Sequence, residues 1–298
     1  MKRRFATLDV FTQQRFAGNP LAVVLDCVGL ETAAMQALAA EFNLSETVFV
    51  LPPQQPSHRA TLRIFTPTRE LPFAGHPTVG TAVLLGLMDG GEQARTMLLA
   101  ETVGPVSCRV ASKADAGEAT FDLPKLPVEA GPPPLAATLA EALGITEDDI
   151  EVDGWPPSCW SAGNGFTFVP LKSRAAVASA RPNRTVFNEK LTGPSHGAVF
   201  VFARETAEAG HDFHARMFAP AMGFPEDPAT GSAAAAFAGV LSRFGGLLDG
   251  THDVMIEQGY EMGRPSLIRL GLTLQSGTLT AASIGGPAVM VCEGTIEA

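Results

Sequence analysis

Two segments of the chain are apolar at nearly every position, TVGTAVLLGLM (78–88) and GSAAAAFAGVLSRF (231–244). A helix that is hydrophobic all round must be buried on all sides. Most of the remaining segments are short runs in which apolar and polar residues alternate, which is typical of half-buried strands. We therefore predict an α+β fold in which each apolar helix is enclosed by a curled, mostly antiparallel sheet.

The stretches that lead into the two apolar segments are similar, RIFTPTRELPFAGHPTVGTA (63–82) and RMFAPAMGFPEDPATGSAA (216–234). The matched pairs are Arg63/Arg216, Phe65/Phe218, Pro67/Pro220 and Pro72/Pro225 and, after a shift in register, His76/Asp227, Pro77/Pro228, Gly80/Gly231 and Thr81/Ser232. The tripeptide AGN precedes both copies, at 17–19 and 162–164, and the order of predicted elements after it repeats. Agreement in both motif and element order predicts an internal duplication.

The duplication predicts two domains, at 1–125 and 126–285. The proline-rich segment PKLPVEAGPPP (124–134) is the expected linker between them. The opening segment MKRRFATLDVF predicts a first strand, and AVMVCEGTI (288–296) predicts a closing strand. If the closing strand returns to the first domain, residues 286–298 complete that domain.

Composition and charge restrict the classes of partner. The chain has 298 residues, of which 46% are hydrophobic and 17% charged, which predicts a globular protein. A formal net charge of -10 offers no basic surface, so we expect neither nucleic-acid nor membrane binding. No window approaches the roughly 18 apolar residues of a membrane span. The cysteines at 27, 108, 159 and 292 lack disulfide or zinc spacing, which indicates isolated buried thiols and a cytoplasmic protein.

A tight loop rich in glycine and proline precedes each apolar helix, AGHPTVG with His76 and EDPATGS with Asp227. Backbone N–H groups and the positive end of a helix dipole are expected beside both residues, which favours the binding of a carboxylate. If both loops reach one cleft, the same donors would stabilise the enolate-like charge formed when a carbon loses a proton. The simpler alternatives are a helix-capping role for Asp227 and a hydrogen-bonded turn residue for His76.

Such chemistry also requires a base, and Glu46 in NLSETVFVLP is the best candidate. This carboxylate begins a strand that otherwise consists of Val, Phe and Leu, a setting expected to raise its pKa toward neutrality. The simpler alternative is a surface glutamate at a strand end. Gly197 is expected to stand at the matching place in the second half, so only one half carries the carboxylate.

The motifs GNPLAVV, NLSETVFV, ELPFAGHPTVGTA, EDPATGSA and QGYEMGRPS together resemble the phenazine-biosynthesis PhzF isomerase family over essentially the whole chain. The resemblance implies the duplicated diaminopimelate-epimerase-like fold, a site between the two domains and a homodimer. The lack of nucleotide-binding and metal-binding motifs in the sequence predicts that no cofactor is needed. It also implies that Glu46 is the general acid/base and that His76 and Asp227 surround a small carboxylated metabolite. The residues implied to contact this substrate are Ser45, Gly75, Gly231 and Ser232.

Two alternatives to a PhzF-like isomerase stay open. A racemase or epimerase could use Glu46 or His76 on one face of the substrate and Asp227 on the other. Thiol-based epimerisation is disfavoured, because no cysteine lies between 28 and 107 or between 160 and 291. A binding protein without turnover is the second alternative, against which the intact acid/base residues argue.

Two further signals are weaker. His211 and His214 suggest a metal pair, but three-residue spacing in a strand would direct the two side chains to opposite faces, so we expect no metal site. Arg264 in GRPS has no role that the sequence decides.

Overall fold

The computed structural model describes residues 1–150, 152, 154–193 and 197–298. The chain forms two compact units, Met1–Pro124 with Ile284–Ala298, and Lys125–Ser283. Strands and helices together make an α+β fold. None of the helices among the described residues combines the length and hydropathy of a membrane-crossing segment.

The first unit contains a mixed sheet and two helices of more than ten residues. Its elements are β1 (Lys2–Val10), β2 (Asn19–Val24), α1 (Thr32–Phe42), β3 (Glu46–Leu51), β4 (Ala60–Phe65), β5 (Glu70–Leu71), α2 (Gly75–Asp89), β6 (Arg95–Glu101), β7 (Gly104–Lys113) and β8 (Ala116–Asp122).

The second unit has a similar order with additional short helices. Its elements are β9 (Val128–Glu129), α3 (Ala136–Leu143), β10 (Ser158–Ser161), β11 (Gly165–Pro170), α4 (Arg174–Ser179), α5 (Arg184–Lys190), β12 (Val199–Ala203), β13 (Phe213–Ala219), β14 (Phe224–Asp227), α6 (Gly231–Phe244), β15 (Gly250–Gln258) and β16 (Ser266–Gln275). Strand β17 (Thr278–Glu297) begins in this unit, and its last part pairs antiparallel with β1. Single-turn 3₁₀ helices occupy Glu147–Asp149, Pro220–Met222 and Tyr260–Met262.

Strand pairing follows the same pattern in both units. In the first unit, β2 runs parallel to β3, β3 antiparallel to β4, and β4 parallel to β6. In the second, β11 runs parallel to β12, β12 antiparallel to β13, and β13 parallel to β15. Each of these sheets continues through an antiparallel pair, β6 with β7 and β15 with β16. Corresponding residues can therefore be identified by register rather than by motif.

The two apolar segments form the helices α2 and α6, as predicted. Helix α2 packs against strands β1, β2, β3, β6, β7 and β8, and its residues from Gly75 to Gly86 are buried. At Gly80 an added Cβ would lie 2.6 Å from Leu21 Cδ2 and 2.7 Å from Val10 Cγ2, so the glycine permits the close approach of helix and sheet. Helix α6 packs against β9, β10, β11 and β16.

A second layer of helices covers the other side of each sheet. In the first unit, Met35, Leu38 and Ala39 of α1 pack on Phe49 and Phe65. In the second unit, α3, α4 and α5 cover β11 to β13 and bury a larger apolar cluster, which includes Leu139, Val177, Phe187, Val199 and Val201. Both layers bury the apolar face of a sheet that would otherwise meet water.

Three details differ from the sequence-based expectations. The segment 124–134 is not an unstructured linker throughout, because Val128–Glu129 forms β9 and pairs with β10. Cys27, Cys108 and Cys159 are buried thiols, but Cys292 is exposed. Helix α2 begins at Gly75, so His76 lies inside its first turn rather than in a loop before it.

Candidate functional site

Glu46 and His76 lie together in the first unit. Glu46 is the first residue of β3, where it pairs in register with Leu21 of β2. His76 is the second residue of α2, and its Nδ1 atom lies 3.5 Å from Glu46 Oε2. The side chains are 4% exposed for His76 and 17% exposed for Glu46. A carboxylate with limited access to water is thus held beside a buried imidazole.

The imidazole of His76 is uncharged at neutral pH. Burial lowers its pKa to about 3, because desolvation disfavours the charged ring. The contact with Glu46 is therefore not an ion pair; with the proton on Nδ1, the ring donates toward the carboxylate. Its Nε2 atom is buried and has no hydrogen-bond partner among the described residues. A buried polar atom without a partner costs stability and is available to a bound ligand.

Asp227 lies in a different setting, at the end of β14 in the second unit. Its Oδ2 atom accepts a hydrogen bond of 2.6 Å from Thr230 Oγ1. Gln258, at the end of β15, has three hydrogen bonds to the same loop: Nε2 donates to Asp227 O at 2.7 Å and to Thr230 Oγ1 at 3.1 Å, and Oε1 accepts from Thr230 N at 3.0 Å. The residue at the N-cap of α6 is Thr230 and not Asp227, so the capping role weighed for Asp227 at that position is wrong.

Gly75, Gly231 and Ser232 all belong to first turns of the enclosed helices. N–H groups in a first turn have no partner within the helix, and the helix dipole makes them attractive to anions. In α2, Pro77 contributes no N–H, and the N-cap residue Ala74 has no polar side chain with which to cap the helix. Both helix starts therefore suit the binding of a small anion.

The structure corrects the residue correspondence between the two halves. Alignment of the helix starts pairs Gly75 with Gly231 and His76 with Ser232, so the motif-based match of His76 with Asp227 is wrong. The strand registers pair Arg63 with Phe49 and Arg216 with Val201, which makes Ala198 the counterpart of Glu46 instead of Gly197. The second unit has neither a carboxylate nor an imidazole at these two places.

The remaining predicted contacts lie nearby in sequence or in the second unit. Ser45 is half-buried and directly precedes Glu46, between α1 and β3. Arg264 follows the 3₁₀ turn after β15, and its backbone N–H donates to Gly259 O at 3.0 Å. The main chain of Arg264 thus shapes the turn that follows Gln258.

His211 and His214 do not point to opposite faces, contrary to the expectation. His211 precedes β13, and both rings reach one carboxylate: His211 Nδ1 lies 2.7 Å from Glu257 Oε2, and His214 Nδ1 lies 2.7 Å from Glu257 Oε1. His214 Nε2 lies 2.8 Å from Glu261 Oε1. Contact of both ring nitrogens with carboxylates requires two N–H donors, so His214 is an imidazolium. Among the described residues, no group of three or more His, Cys, Asp or Glu has a geometry suited to a metal ion.

Two buried residues at the ends of strands, Glu101 and Gln258, escaped the sequence-based reasoning. Each contacts the start of an enclosed helix, through Thr78 in the first unit and through Thr230 in the second. Their position is the feature that could have identified them. Each ends the strand that lies parallel to the strand with the matched arginine, Arg63 in β4 or Arg216 in β13.

The chain is similar to known proteins along its whole length. The model of the PhzC-PhzF family, described as phenazine biosynthesis-like protein, matches residues 8–294. An uncharacterised isomerase of Mesorhizobium japonicum is 48% identical, with 99% of this chain and 98% of that protein covered. A trans-2,3-dihydro-3-hydroxyanthranilate isomerase of Pseudomonas aeruginosa is 36% identical, with 98% of each covered. A PhzF-family structure from Bacillus anthracis has a TM-score of 0.89 and 25% identity and covers 100% of both chains.

Proposed function

Because this chain belongs to the PhzC-PhzF family and is an isomerase, we propose that it moves a proton between two carbon atoms of a small carboxylated metabolite. The relative from Pseudomonas aeruginosa is named for trans-2,3-dihydro-3-hydroxyanthranilate, and we propose a cyclic, unsaturated carboxylate of this class for the present chain. Glu46 is the general acid/base, and the residues at the starts of α2 and α6 bind the anionic parts of the substrate.

The observation that supports the proposal most is the contact between Glu46 and His76. It sets a carboxylate of low exposure beside a neutral N–H donor, and the nitrogen on the far side of that ring has no hydrogen-bond partner in the described part of the chain. A structural ion pair would be expected to fill its hydrogen bonds. An acid/base pair keeps that capacity for the substrate.

The proposed reaction has two proton transfers. The carboxylate of Glu46 takes a proton from a ring carbon, and the electron pair of the broken C–H bond is delocalised toward the substrate carboxylate. Glu46, now protonated, returns the proton to a second carbon of the same conjugated system. The contact of His76 Nδ1 with Glu46 Oε2, at 3.5 Å, orients the Glu46 carboxylate during both transfers.

We assign the charge that develops on the substrate to the helix starts. The N–H groups around Gly75, Gly231 and Ser232 are fixed dipoles, which stabilise an anion without reorganisation. Asp227 and Ser45 are proposed as further substrate contacts. Since Asp227 holds Thr230, its effect on the second helix start is indirect as well as direct.

The alternative is a racemase or epimerase with two bases. The positions that correspond to Glu46 and His76 in the second unit are Ala198 and Ser232, neither of which can serve as a base. This asymmetry favours a single base over a matched pair, although Asp227 stands elsewhere in the same unit. Turnover in D₂O distinguishes the two reactions. A racemase brings the hydrogen at a stereocentre into equilibrium with solvent deuterium, whereas a single-base shuttle leaves part of the transferred hydrogen unlabelled.

The duplication itself is part of the proposal. The pairing order β2–β3–β4–β6 recurs as β11–β12–β13–β15. In each unit the matched arginine forms a bidentate pair with a glutamate, Arg63 with Glu70 and Arg216 with Glu226. These features support descent of both units from one ancestral unit with a central helix.

The test is Glu46→Gln, which keeps the size of the side chain but cannot accept the proton. Turnover of trans-2,3-dihydro-3-hydroxyanthranilate or a related cyclic carboxylate should fall by roughly 10²- to 10⁴-fold, the usual worth of a general acid/base. Glu41→Gln, an exposed carboxylate of α1, is the matched control and should keep wild-type turnover. If the wild-type protein isomerises neither trans-2,3-dihydro-3-hydroxyanthranilate nor any related cyclic carboxylate tested, the proposed reaction is contradicted. A Glu46→Gln variant that keeps more than about a tenth of the rate would contradict the assignment of the base.

Three further predictions belong to the proposal. The chemistry described needs no cofactor, so dialysis against a chelator should leave turnover unchanged. A homodimer is proposed on the family resemblance, and light scattering at the monomer mass of 31.2 kDa across micromolar concentrations would contradict it. The net charge of -10 predicts that no salt-sensitive complex with duplex DNA forms, which a filter-binding titration checks.

A further inference from the structure

Two strand ends in the chain correspond to each other by register. In the first unit, Ala60 of β4 pairs with Leu99 of β6, and in the second, Phe213 of β13 pairs with Ile256 of β15. Ala60 and Phe213 stand equally far before the matched residues Arg63 and Arg216. Two residues beyond Leu99 and Ile256, both strands end, at Glu101 and Gln258. The two side chains therefore occupy equivalent places.

Gln258 holds the approach to α6. Its side chain is fully buried and has three hydrogen bonds to the loop: Nε2 donates to Asp227 O at 2.7 Å and to Thr230 Oγ1 at 3.1 Å, and Oε1 accepts from Thr230 N at 3.0 Å. An uncharged group with both donor and acceptor is needed here, because a carbonyl oxygen and an N–H group face the same side chain.

Glu101 contacts the start of α2 in a comparable way. It is 8% exposed, and its Oε1 atom lies 2.7 Å from Thr78 Oγ1. Thr78 Oγ1 is also 2.7 Å from Ala74 O, the carbonyl of the N-cap residue. The hydroxyl of Thr78 has a single proton, and the carbonyl of Ala74 has none to give. Both short contacts can be hydrogen bonds only if Thr78 donates to Ala74 O and Glu101 donates to Thr78.

We propose that Glu101, as a neutral carboxylic acid, is the functional counterpart of Gln258, and that each is a positioning residue for the start of its enclosed helix. Glu101 donates a hydrogen bond to the hydroxyl of Thr78, which in turn donates to the carbonyl of Ala74. Gly75 and His76 lie between these two tied residues. Gln258 does the same for Thr230, directly before Gly231 and Ser232.

The electrostatic surroundings of Glu101 agree with the protonated form. Burial raises its pKa to about 8, and a hydrogen bond donated by the neutral acid to Thr78 favours the same protonated form. The buried titratable groups on the packed elements are Cys108 of β7, whose own pKa is raised mainly by burial, and the neutral His76 on α2. The exposed charged groups of these elements, Arg109, Lys113 and Asp89, pair with Asp122, Glu92 and Arg59. Neither Cys108 nor His76 supplies a positive charge that would favour the ionised form of Glu101.

The proposal predicts a definite pH dependence of stability. An acid with a folded pKa near 8 and an unfolded pKa near 4.3 contributes stability that is complete below the unfolded value and is lost as pH rises through the folded value. Glu101→Gln removes this titration and keeps the shape. The melting temperature of Glu101→Gln minus that of the wild type should therefore rise by roughly 5 °C or more between about pH 5 and pH 9.

Two variants complete the measurement. Glu41→Gln removes an exposed carboxylate of the same unit and should follow the wild type at every pH. Gln258→Glu is the converse exchange, and its melting temperature relative to the wild type should fall as pH rises, because an ionised carboxylate would face Asp227 O. A constant difference between Glu101→Gln and the wild type across this pH range would overturn the inference, as would a Gln258→Glu variant without pH dependence.

The link to His76 rests on the proposed function and has its own readout. The ratio kcat/KM of the wild type should fall above about pH 8 as Glu101 ionises, and Glu101→Gln should remove that decline while it keeps the rate at pH 7 within roughly twofold. If the stability profile changes as expected and the decline persists in Glu101→Gln, the positioning of His76 is contradicted. The unfolding experiments need no substrate, so failure of the inference is separate from failure of the Glu46 assignment.

Discussion

The two enclosed helices begin in the same structural place but in different chemical surroundings. At the start of α2, Glu46 and a neutral His76 meet at 3.5 Å, and His76 Nε2 and Glu101 Oε2 are buried without hydrogen-bond partners among the described residues. At the start of α6, Asp227, Thr230 and Gln258 are linked by four short hydrogen bonds. One start retains unused hydrogen-bonding capacity, and the other is well satisfied.

This difference indicates that the two units contribute differently to the proposed reaction. A buried polar atom without a partner costs about 1–3 kcal/mol, so such atoms are expected where function requires them. In the first unit such atoms lie near Glu46, where the proposed proton transfer occurs. In the second unit, hydrogen bonds hold the loop before α6 in place instead, which suits the anion binding proposed for that helix start.

The Arg–Glu pairs show the same contrast in burial. Arg63 and Glu70 have side chains that are 26% and 33% exposed, whereas those of Arg216 and Glu226 are 5% and 14% exposed. Arg216 also donates through Nη1 to the carbonyl oxygens of Val177, Ala178 and Ala180 around the end of α4. The same pair is thus a surface contact in one unit and a buried link between layers in the other.

The largest effect is expected from exchange of these arginines. Arg216→Lys keeps the charge but loses the planar fork and most of the carbonyl contacts, and it should cost about 3 kcal/mol of unfolding free energy. Arg63→Lys should cost less than about 1 kcal/mol, since its pair is partly exposed. Urea titrations of both variants measure this, and equal costs would remove the contrast between the units.

A smaller effect is expected at His76. His76→Phe keeps a buried ring but removes the donor to Glu46, so kcat should fall by roughly 10- to 100-fold, as expected for a hydrogen bond to a charged group. Stability should stay constant or rise, because the variant also removes the buried Nε2 atom, which has no hydrogen-bond partner among the residues that the structure describes. Reduced stability with unchanged turnover would assign His76 to structure alone.

The smallest effect concerns the charged network around His214. Burial, the largest influence, opposes its charge, but the hydrogen bonds that His214 donates to Glu261 and Glu257 outweigh burial and raise its pKa. The stability from this group is therefore complete below the unfolded pKa of about 6.5 and is lost as pH rises through the folded value. His214→Gln should flatten this loss, by at most about 1.4 kcal/mol per pH unit. Wild type and variant with parallel stability profiles above pH 6.5 would contradict the imidazolium.

Sequence reasoning found the enclosed helices because an apolar surface all round a helix is a strong signal, and α6 spans the predicted residues. The alignment of the two halves was wrong at the helix starts, because the proline shared by GHP and DP suggested that His76 and Asp227 are equivalent. Pro77 lies inside the first turn of α2, whereas Pro228 precedes the N-cap residue of α6. The orientation of His211 was also wrong, because β13 begins only at Phe213 and the alternation of a strand does not reach His211.

The strand-end residues were beyond the reach of sequence patterns. Glu101 and Gln258 differ in residue type, and only the pairing of β4 with β6 and of β13 with β15 shows that they correspond. Their partners Thr78 and Thr230 lie at different offsets from the helix starts. Contacts between segments distant in sequence depend on register, which a motif comparison does not contain.

A comparison of Glu46→Gln with Asp227→Asn tests most directly whether the first unit carries the proton transfer and the second unit the binding of the carboxylate. Calorimetric titration with anthranilate, a stable aromatic carboxylate, would measure binding, and a substrate of the proposed class would measure turnover. We predict that Glu46→Gln binds within roughly threefold of wild type but loses about 10²- to 10⁴-fold in kcat, whereas Asp227→Asn weakens binding by about tenfold or more. Equal loss of binding in both variants, or binding that Asp227→Asn leaves unchanged, would contradict it.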